Sequence, residues 1–192
     1  MPRKEGRAPY LSAEEFQRVI DHTFATSAHP ERDCAILQTS YRVGLRAGEI
    51  ALLTLEDVVE LEVQIRRVVV LRKKITKGKK GGEAFFTHPE MRSALSEYLK
   101  TRQGNSPYLF VSRKNCGFSP SSMSRLFSTL YRKAGFEGKG HTGRKSLAMN
   151  LNEQNVSVFN ISRILRHANI QTTVQHYINV NSTTLAGILE AC

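Results

Sequence analysis

The last third of the chain holds residues whose types and spacing suit chemistry at a phosphate: His141-Thr142-Gly143-Arg144, then Leu165-Arg166-His167, then Tyr177 ten residues after that histidine. Far upstream, Gly44-Leu45-Arg46-Ala47-Gly48-Glu49 adds a further arginine. Moving a phosphodiester onto a protein hydroxyl requires a nucleophile, a cage for the extra charge on the phosphoryl oxygens, and an acid for the departing oxygen. A tyrosine phenol is acidic for a hydroxyl and can serve as the nucleophile. Two arginines suit the cage, because each planar guanidinium is always charged and can hold two oxygens. With a helix beginning near Thr142, His141 and Arg144 lie one turn apart on one face, near the positive helix end, and both can address one phosphate. Such a scheme needs no metal and no cofactor, and no aspartate or glutamate cluster in the sequence would hold a metal. Each piece also has an ordinary structural reading: Arg46 as a surface ion pair with Glu49, His141 as a helix-start residue, Tyr177 as an aromatic packed on the preceding helix. The order and spacing of the pieces together favour the functional one.

To gather these residues the chain must fold as a mainly α domain with a small sheet inserted near its first third. Ser12-Ala13-Glu14-Glu15 is a capping-box pattern, and Phe16, Val19, Ile20 and Phe24 follow at helical spacing, which predicts a helix over 12–26. A second apolar-periodic run, Cys34 to Tyr41, stops at Val43-Gly44, and a third short helix starts near Ala47. Arg46 then falls at a turn between helices, where its side chain can project into a cleft. From Val58 to Thr87 the pattern changes to β-branched runs: Val58-Val59, Val63-Gln64-Ile65, Val68-Val69-Val70-Leu71 and Ala84-Phe85-Phe86-Thr87. These read as an antiparallel three-stranded sheet whose last turn is Lys77-Gly78-Lys79-Lys80-Gly81-Gly82. Helices are predicted beyond it at about 89–102, 120–134, 142–153, 157–166, 170–177 and 184–190.

Taken together, these motifs resemble the active-site set of the tyrosine recombinases, enzymes that cut and rejoin DNA through a 3′-phosphotyrosine; the resemblance runs over about residues 10–190. It implies that family's catalytic-domain fold, and a role for each matching residue. Arg46 would be the first phosphate-binding arginine, with Glu49 as the carboxylate that orients it. Thr76-Lys77-Gly78 is similar to the hairpin that delivers a catalytic lysine, so Lys77 would protonate the 5′ leaving oxygen, with Lys74, Lys79 and Lys80 as neighbours able to compete. His141 would move a proton to or from the tyrosine, Arg144 would be the second clamp, His167 would donate to the scissile phosphate, and Tyr177 would be the nucleophile. Two departures stand out. Arg166 takes the place of the glycine in the family's Leu-Gly-His, and the interval from His167 to Tyr177 is one residue longer than usual, so that His176 occupies the expected tyrosine position. A glycine with positive φ would be replaced there at a modest strain cost. The catalytically silent DNA-binding paralogue that these departures suggest, and a type IB topoisomerase, are the readings that compete with the recombinase.

Composition agrees with a polyanionic partner. The 192 residues carry a formal charge of +11, and residues 64–80 hold Arg66, Arg67, Arg72, Lys73, Lys74, Lys77, Lys79 and Lys80 with no acidic residue among them. That run can track a double-stranded DNA backbone with salt-sensitive affinity, or be a solvated basic face. It lies in predicted sheet rather than on an amphipathic helix, which disfavours a membrane surface. No apolar run approaches the roughly 20 residues of a membrane span, and the start of the chain lacks the apolar segment of a signal peptide. The three cysteines, Cys34, Cys116 and Cys192, are widely spaced and fit reduced thiols in a cytoplasmic, nucleoid-associated protein. By resemblance to the stand-alone fimbrial-switch invertases, a basic tail over 1–9 precedes a single catalytic domain over 10–192, with no separate N-terminal core-binding domain. The same resemblance implies inversion of a segment between inverted repeats, with a small phage or mobile-element integrase as the alternative. It also implies assembly into a tetramer on paired sites and the help of DNA-bending proteins.

Overall fold

A computed structural model of the chain describes residues 9–60, 64–76 and 81–177, with side chains as far as Gln175. Helix α1 (Ala13–Thr26) starts at the predicted capping box: Glu15 accepts the Ser12 backbone N–H at 2.9 Å while Ser12 Oγ accepts that of Glu15 at 3.2 Å. Its buried residues, Phe16, Val19 and Thr23, follow the 3.6-residue period, and Phe16 stacks on Tyr41 with ring centroids 3.7 Å apart. Tyr41 belongs to α2 (Pro30–Val43), which is buried along nearly its whole length and is the central rod of the domain. Around it pack α1, α5 (Pro89–Thr101) and α7 (Thr142–Glu153). Helix α7 comes close to α2 at Gly143, where a Cβ would lie 2.6 Å from Ser40 Oγ and 3.0 Å from the Tyr41 nitrogen.

Helix α2 stops at Gly44, whose φ of +69° turns the chain sharply into α3 (Ala47–Leu52). A side chain at Gly44 would also collide with Leu147 and Leu165, at 2.9 and 3.0 Å. Helix α6 (Pro120–Lys133) packs on α3 and α1. The main hydrophobic core runs through these helices and the inner face of the sheet. A separate small cluster of Ala148, Ile161 and Leu165 holds α8 (Val158–Ile164) against α7, and α9 (Gln171–Tyr177) follows.

The helices match the sequence expectation closely, except that the one expected at 184–190 lies outside the described residues. The sheet does not match. Among the described residues it has two strands, β1 (Val68–Leu71) and β2 (Gly82–Phe85), antiparallel, with Val68 opposite Phe85 and Leu71 opposite Gly82. The expected third strand is reduced to one bridge, Val59 with Ile65. Val58 is drawn into a helical turn instead, α4 (Leu55–Val58), because Asp57 caps it by accepting the Thr54 backbone N–H at 2.9 Å. Among the described residues, the bonds from Glu60 N–H to Gln64 O (2.7 Å) and Arg66 N–H to Val58 O (2.8 Å) remain of the ladder, and Val63 of the expected strand lies outside them. The last turn of the hairpin, with Lys77, Lys79 and Lys80, lies outside the described residues.

Candidate active site

A cleft of about 400 Å³ opens between the start of α3, the loop before α7 and the end of the segment that follows β1. Arg46, His141 and Thr76 all line it, so two predicted catalytic residues share one cavity with the residue immediately before Lys77. Arg46 is the cap residue of α3. Its backbone N–H donates to Glu49 Oε2 at 2.8 Å and its Nη1 donates to Oε1 at 2.7 Å, so one carboxylate fixes both the helix start and the guanidinium. Glu49 is only 2% exposed while the Arg46 side chain is 23% exposed, which is the geometry of a buried anchor beneath a presented cation. Burial alone would raise the Glu49 pKa. The charge of Arg166, the Arg46 N–H and the charges of Arg46 and Arg144 outweigh it and hold the carboxyl below its ordinary range.

His141 is exposed and precedes the first residue of α7, as expected, and its ring does not cap the helix. One turn later Arg144 is buried, with 3% of its surface exposed. Its guanidinium donates to the carbonyls of Gly44 and Leu165, joining the turn after α2 to the turn after α8. Arg144 therefore also acts as a tie between segments distant in sequence, a role that spacing alone does not reveal. His167 sits in the turn after α8, where Nδ1 is 2.7 Å from Oγ1 of the fully buried Thr173. Thr173 orients the ring, and its signal in the sequence is the Thr172-Thr173 pair ahead of Tyr177. Tyr177 is the final residue of α9, and its side chain lies outside what is described, as does Lys77.

The extra arginine is part of the site. Arg166 keeps the positive φ of the turn, +54°, and its side chain, 9% exposed, reaches Glu49 Oε2 at 3.2 Å. Three guanidinium groups, those of Arg46, Arg144 and Arg166, thus converge on Glu49 and the Gly44 carbonyl.

The basic run divides into two kinds. Arg67, Lys73 and Lys74 are exposed. Arg72 is instead drawn inward to Asp57 at 2.7 Å and the Leu52 carbonyl at 3.0 Å, and Arg66 pairs with Glu60 at 3.0 Å. The sequence window contains no acid, but folding brings two from the preceding segment. Among the described residues no His, Cys, Asp and Glu side chains group to hold a metal ion, and no helix is long and apolar enough to cross a membrane.

Comparison with known proteins agrees with this geometry. Residues 9–184 match the phage integrase family. Tyrosine recombinase XerA of Pyrococcus horikoshii is 34% identical over 186 residues, covering 94% of this chain and 60% of that protein. The crystal structure of XerA recombinase superposes with a TM-score of 0.75 at 27% identity, over 100% of this chain and 66% of that one. The Tn1549 transposon integrase, solved in complex with transposon right end DNA, has the same fold at 15% identity, with a TM-score of 0.78 over 100% of this chain and 68% of that one. The chain spans 60% of the length of the XerA relative. With a family match across most of its length and a XerA-like fold around the cleft, the chain belongs to the phage integrase family, the tyrosine recombinases.

Proposed function

We propose that the chain is the catalytic unit of a site-specific DNA recombinase that cleaves and rejoins double-stranded DNA through a 3′-phosphotyrosine on Tyr177. The observation that carries this reading is that Arg46 and His141, from segments far apart in sequence, line one cleft, while the buried Arg144 ties the turn before Arg46 to the turn before His167. In the proposed step the Tyr177 phenol oxygen forms a bond to phosphorus, its proton passing to His141, and the bond from phosphorus to the 5′ oxygen breaks. Lys77 supplies the proton that this oxygen takes up. Arg46 and Arg144 neutralise the charge that develops on the phosphoryl oxygens, and removing one such preorganised contact costs on the order of 3 kcal/mol of transition-state stabilisation. His167, oriented at Nδ1 by Thr173, would donate to the phosphate through Nε2. Arginine and lysine provide all the positive charge the step needs, which supports a metal-independent reaction. The net charge of +11, with Arg67, Lys73 and Lys74 exposed, supports contact with the DNA backbone.

Finer elements of the reading are inversion between inverted repeats, a tetramer on paired sites, DNA-bending helpers and action on nucleoid DNA in the cytoplasm. Integration or excision of a mobile element is the second outcome, favoured by the fold shared with a transposon integrase. A plasmid bearing paired sites in inverted or direct orientation separates them by the product formed.

The test of the chemistry is covalent trapping. Wild type and Tyr177→Phe are incubated in EDTA with nicked duplexes spanning inverted repeats near the source locus, beside a known recombinase on its own site as control. A denaturation-resistant protein–DNA band is expected for wild type alone, with DNA binding retained by the variant. A band from Tyr177→Phe removes Tyr177 as nucleophile, and its absence from both, with binding intact, favours a silent DNA-binding paralogue.

A further inference from the structure

Arg166 stands at a backbone position that L side chains avoid. Among the described residues three that are not glycine have positive φ: Asn115, Asn155 and Arg166. Asparagine tolerates that region, whereas a long side chain there is strained and persists only where the surroundings hold it. The surroundings of Arg166 are the site itself. Its Nη2 donates to Glu49 Oε2 at 3.2 Å and to the Gly44 carbonyl at 3.4 Å, and its Nη1 donates to the Ile164 carbonyl at 3.0 Å. Its aliphatic stem lies against Gly82, where a Cβ would stand 3.0 Å from Arg166 Cδ, so the side chain occupies space left by a glycine at the start of β2.

The consequence falls on Glu49. Its Oε1 is taken by Arg46 Nη1, and its Oε2 is shared by the Arg46 backbone N–H and Arg166. The charged groups that face it are Arg46 at the head of its own helix, Arg144 from α7 and Arg166 from the turn after α8. Without Arg166, a carboxylate that is 2% exposed would keep one ligand fewer on Oε2, and its grip on the Arg46 guanidinium would loosen.

Building on the phosphotyrosine reading above, we propose that Arg166 is a positioning residue of the cleavage site: it secures Glu49 and, through it, aims Arg46 at the scissile phosphate. Arg166 acts through Glu49 and makes no phosphate contact of its own. Its attraction is also the largest of those that keep Glu49 ionised, so its loss lets burial raise the Glu49 pKa.

The test compares wild type, Arg166→Gly, Arg166→Lys, Glu49→Gln and the Arg166→Gly/Glu49→Gln double variant. Single-turnover adduct formation on the nicked duplex is followed from about pH 3.5 to 8.5, with DNA affinity and thermal melting measured alongside. Arg166→Gly is expected to slow cleavage on the order of 10- to 100-fold, the scale of a misplaced contact, with DNA affinity held within about twofold. Its acid limb moves to higher pH, while its melting temperature falls less than that of Glu49→Gln, because the positive φ that glycine suits offsets part of the lost ion pair. Arg166→Lys restores the acid limb but only part of the rate, since lysine carries the charge without the planar fork. In the Glu49→Gln background Arg166→Gly adds little, as two changes acting through one contact do not sum.

Cleavage by Arg166→Gly at the wild-type rate and pH profile overturns the proposal. An equal loss in both backgrounds also overturns it, by showing that Arg166 acts independently of Glu49. A wild type that binds DNA and forms no adduct defeats the phosphotyrosine reading instead. In that case carboxyl NMR decides the brace alone: a Glu49 titration moved upward in Arg166→Gly supports it, and an unchanged one removes it.

Discussion

Glu49 is the side chain on which the site turns, and its physics is that of a buried anion matched to more cations than it can neutralise. Its folded pKa lies below the ordinary glutamate value, so it contributes stability that is present above the unfolded value of about 4.3 and lost as pH falls through the folded pKa. Glu49→Gln is expected to destabilise the domain by about 3 kcal/mol near neutral pH, since Arg166 loses its buried carboxylate partner. The difference between wild type and variant should narrow on acidification, as read from urea unfolding at a series of pH values. A gap that stays constant down to about pH 3 would remove the ion pair as its source. Arg144 has the complementary character, a buried cation spanning the Gly44 and Leu165 carbonyls, so its loss bears on the fold.

At the scale of elements, the site depends on how two turns meet. The turn at Gly44 leads into α3, whose Arg46 and Glu49 line the cleft with the loop before α7, and the turn at Arg166 carries that arginine onto Glu49. Both turns use positive φ, and Leu165 packs against Gly44. Gly44→Ala adds a methyl group at φ +69° that would lie 2.9 Å from Leu147 and 3.0 Å from Leu165. The expected cost is about 2 kcal/mol, seen as a lower midpoint in thermal or urea unfolding, and cleavage should weaken with it. An unchanged midpoint would show that the two turns can separate without penalty. Helix α8 rests on a small cluster apart from the main core, and α9 packs on α7 and α8. The helix that ends at Tyr177 is held there in part by the bond between Thr173 and His167.

Over the whole molecule, the excess of positive charge is distributed unevenly, and folding has already used some of it. Arg72 and Arg66 are occupied by Asp57 and Glu60, whereas Arg67 is exposed before β1 and Lys73 and Lys74 are exposed next to the cleft's Ile75 and Thr76. Replacing Lys73 and Lys74 by glutamine should lower the slope of log affinity against log salt by about 2, at about 0.9 per phosphate contact. Arg72→Gln should change that slope little and reduce stability instead. Fluorescence anisotropy with duplex DNA over a salt series reads both effects, and an Arg72 variant with the larger change in slope would reverse the assignment.

Amphipathic period, capping residues and turn glycines are local properties, so the sequence by itself determined where the helices start and stop, that Arg46 sits at a turn, and that His141 opens α7. It also determined the family, because the order of motifs is written along the chain. The sheet was less legible: β-branched residues at 58–65 have strand propensity, but a carboxylate cap at Asp57 wins Val58 for a helical turn. Only the tertiary structure decided which cations remain exposed, since Asp57 and Glu60 lie outside the basic window that they neutralise. Only there does Arg166, in sequence a substitution of glycine, become a ligand of Glu49. Its partner lies 117 residues away, and a pairing over that distance depends on how helices pack rather than on local periodicity.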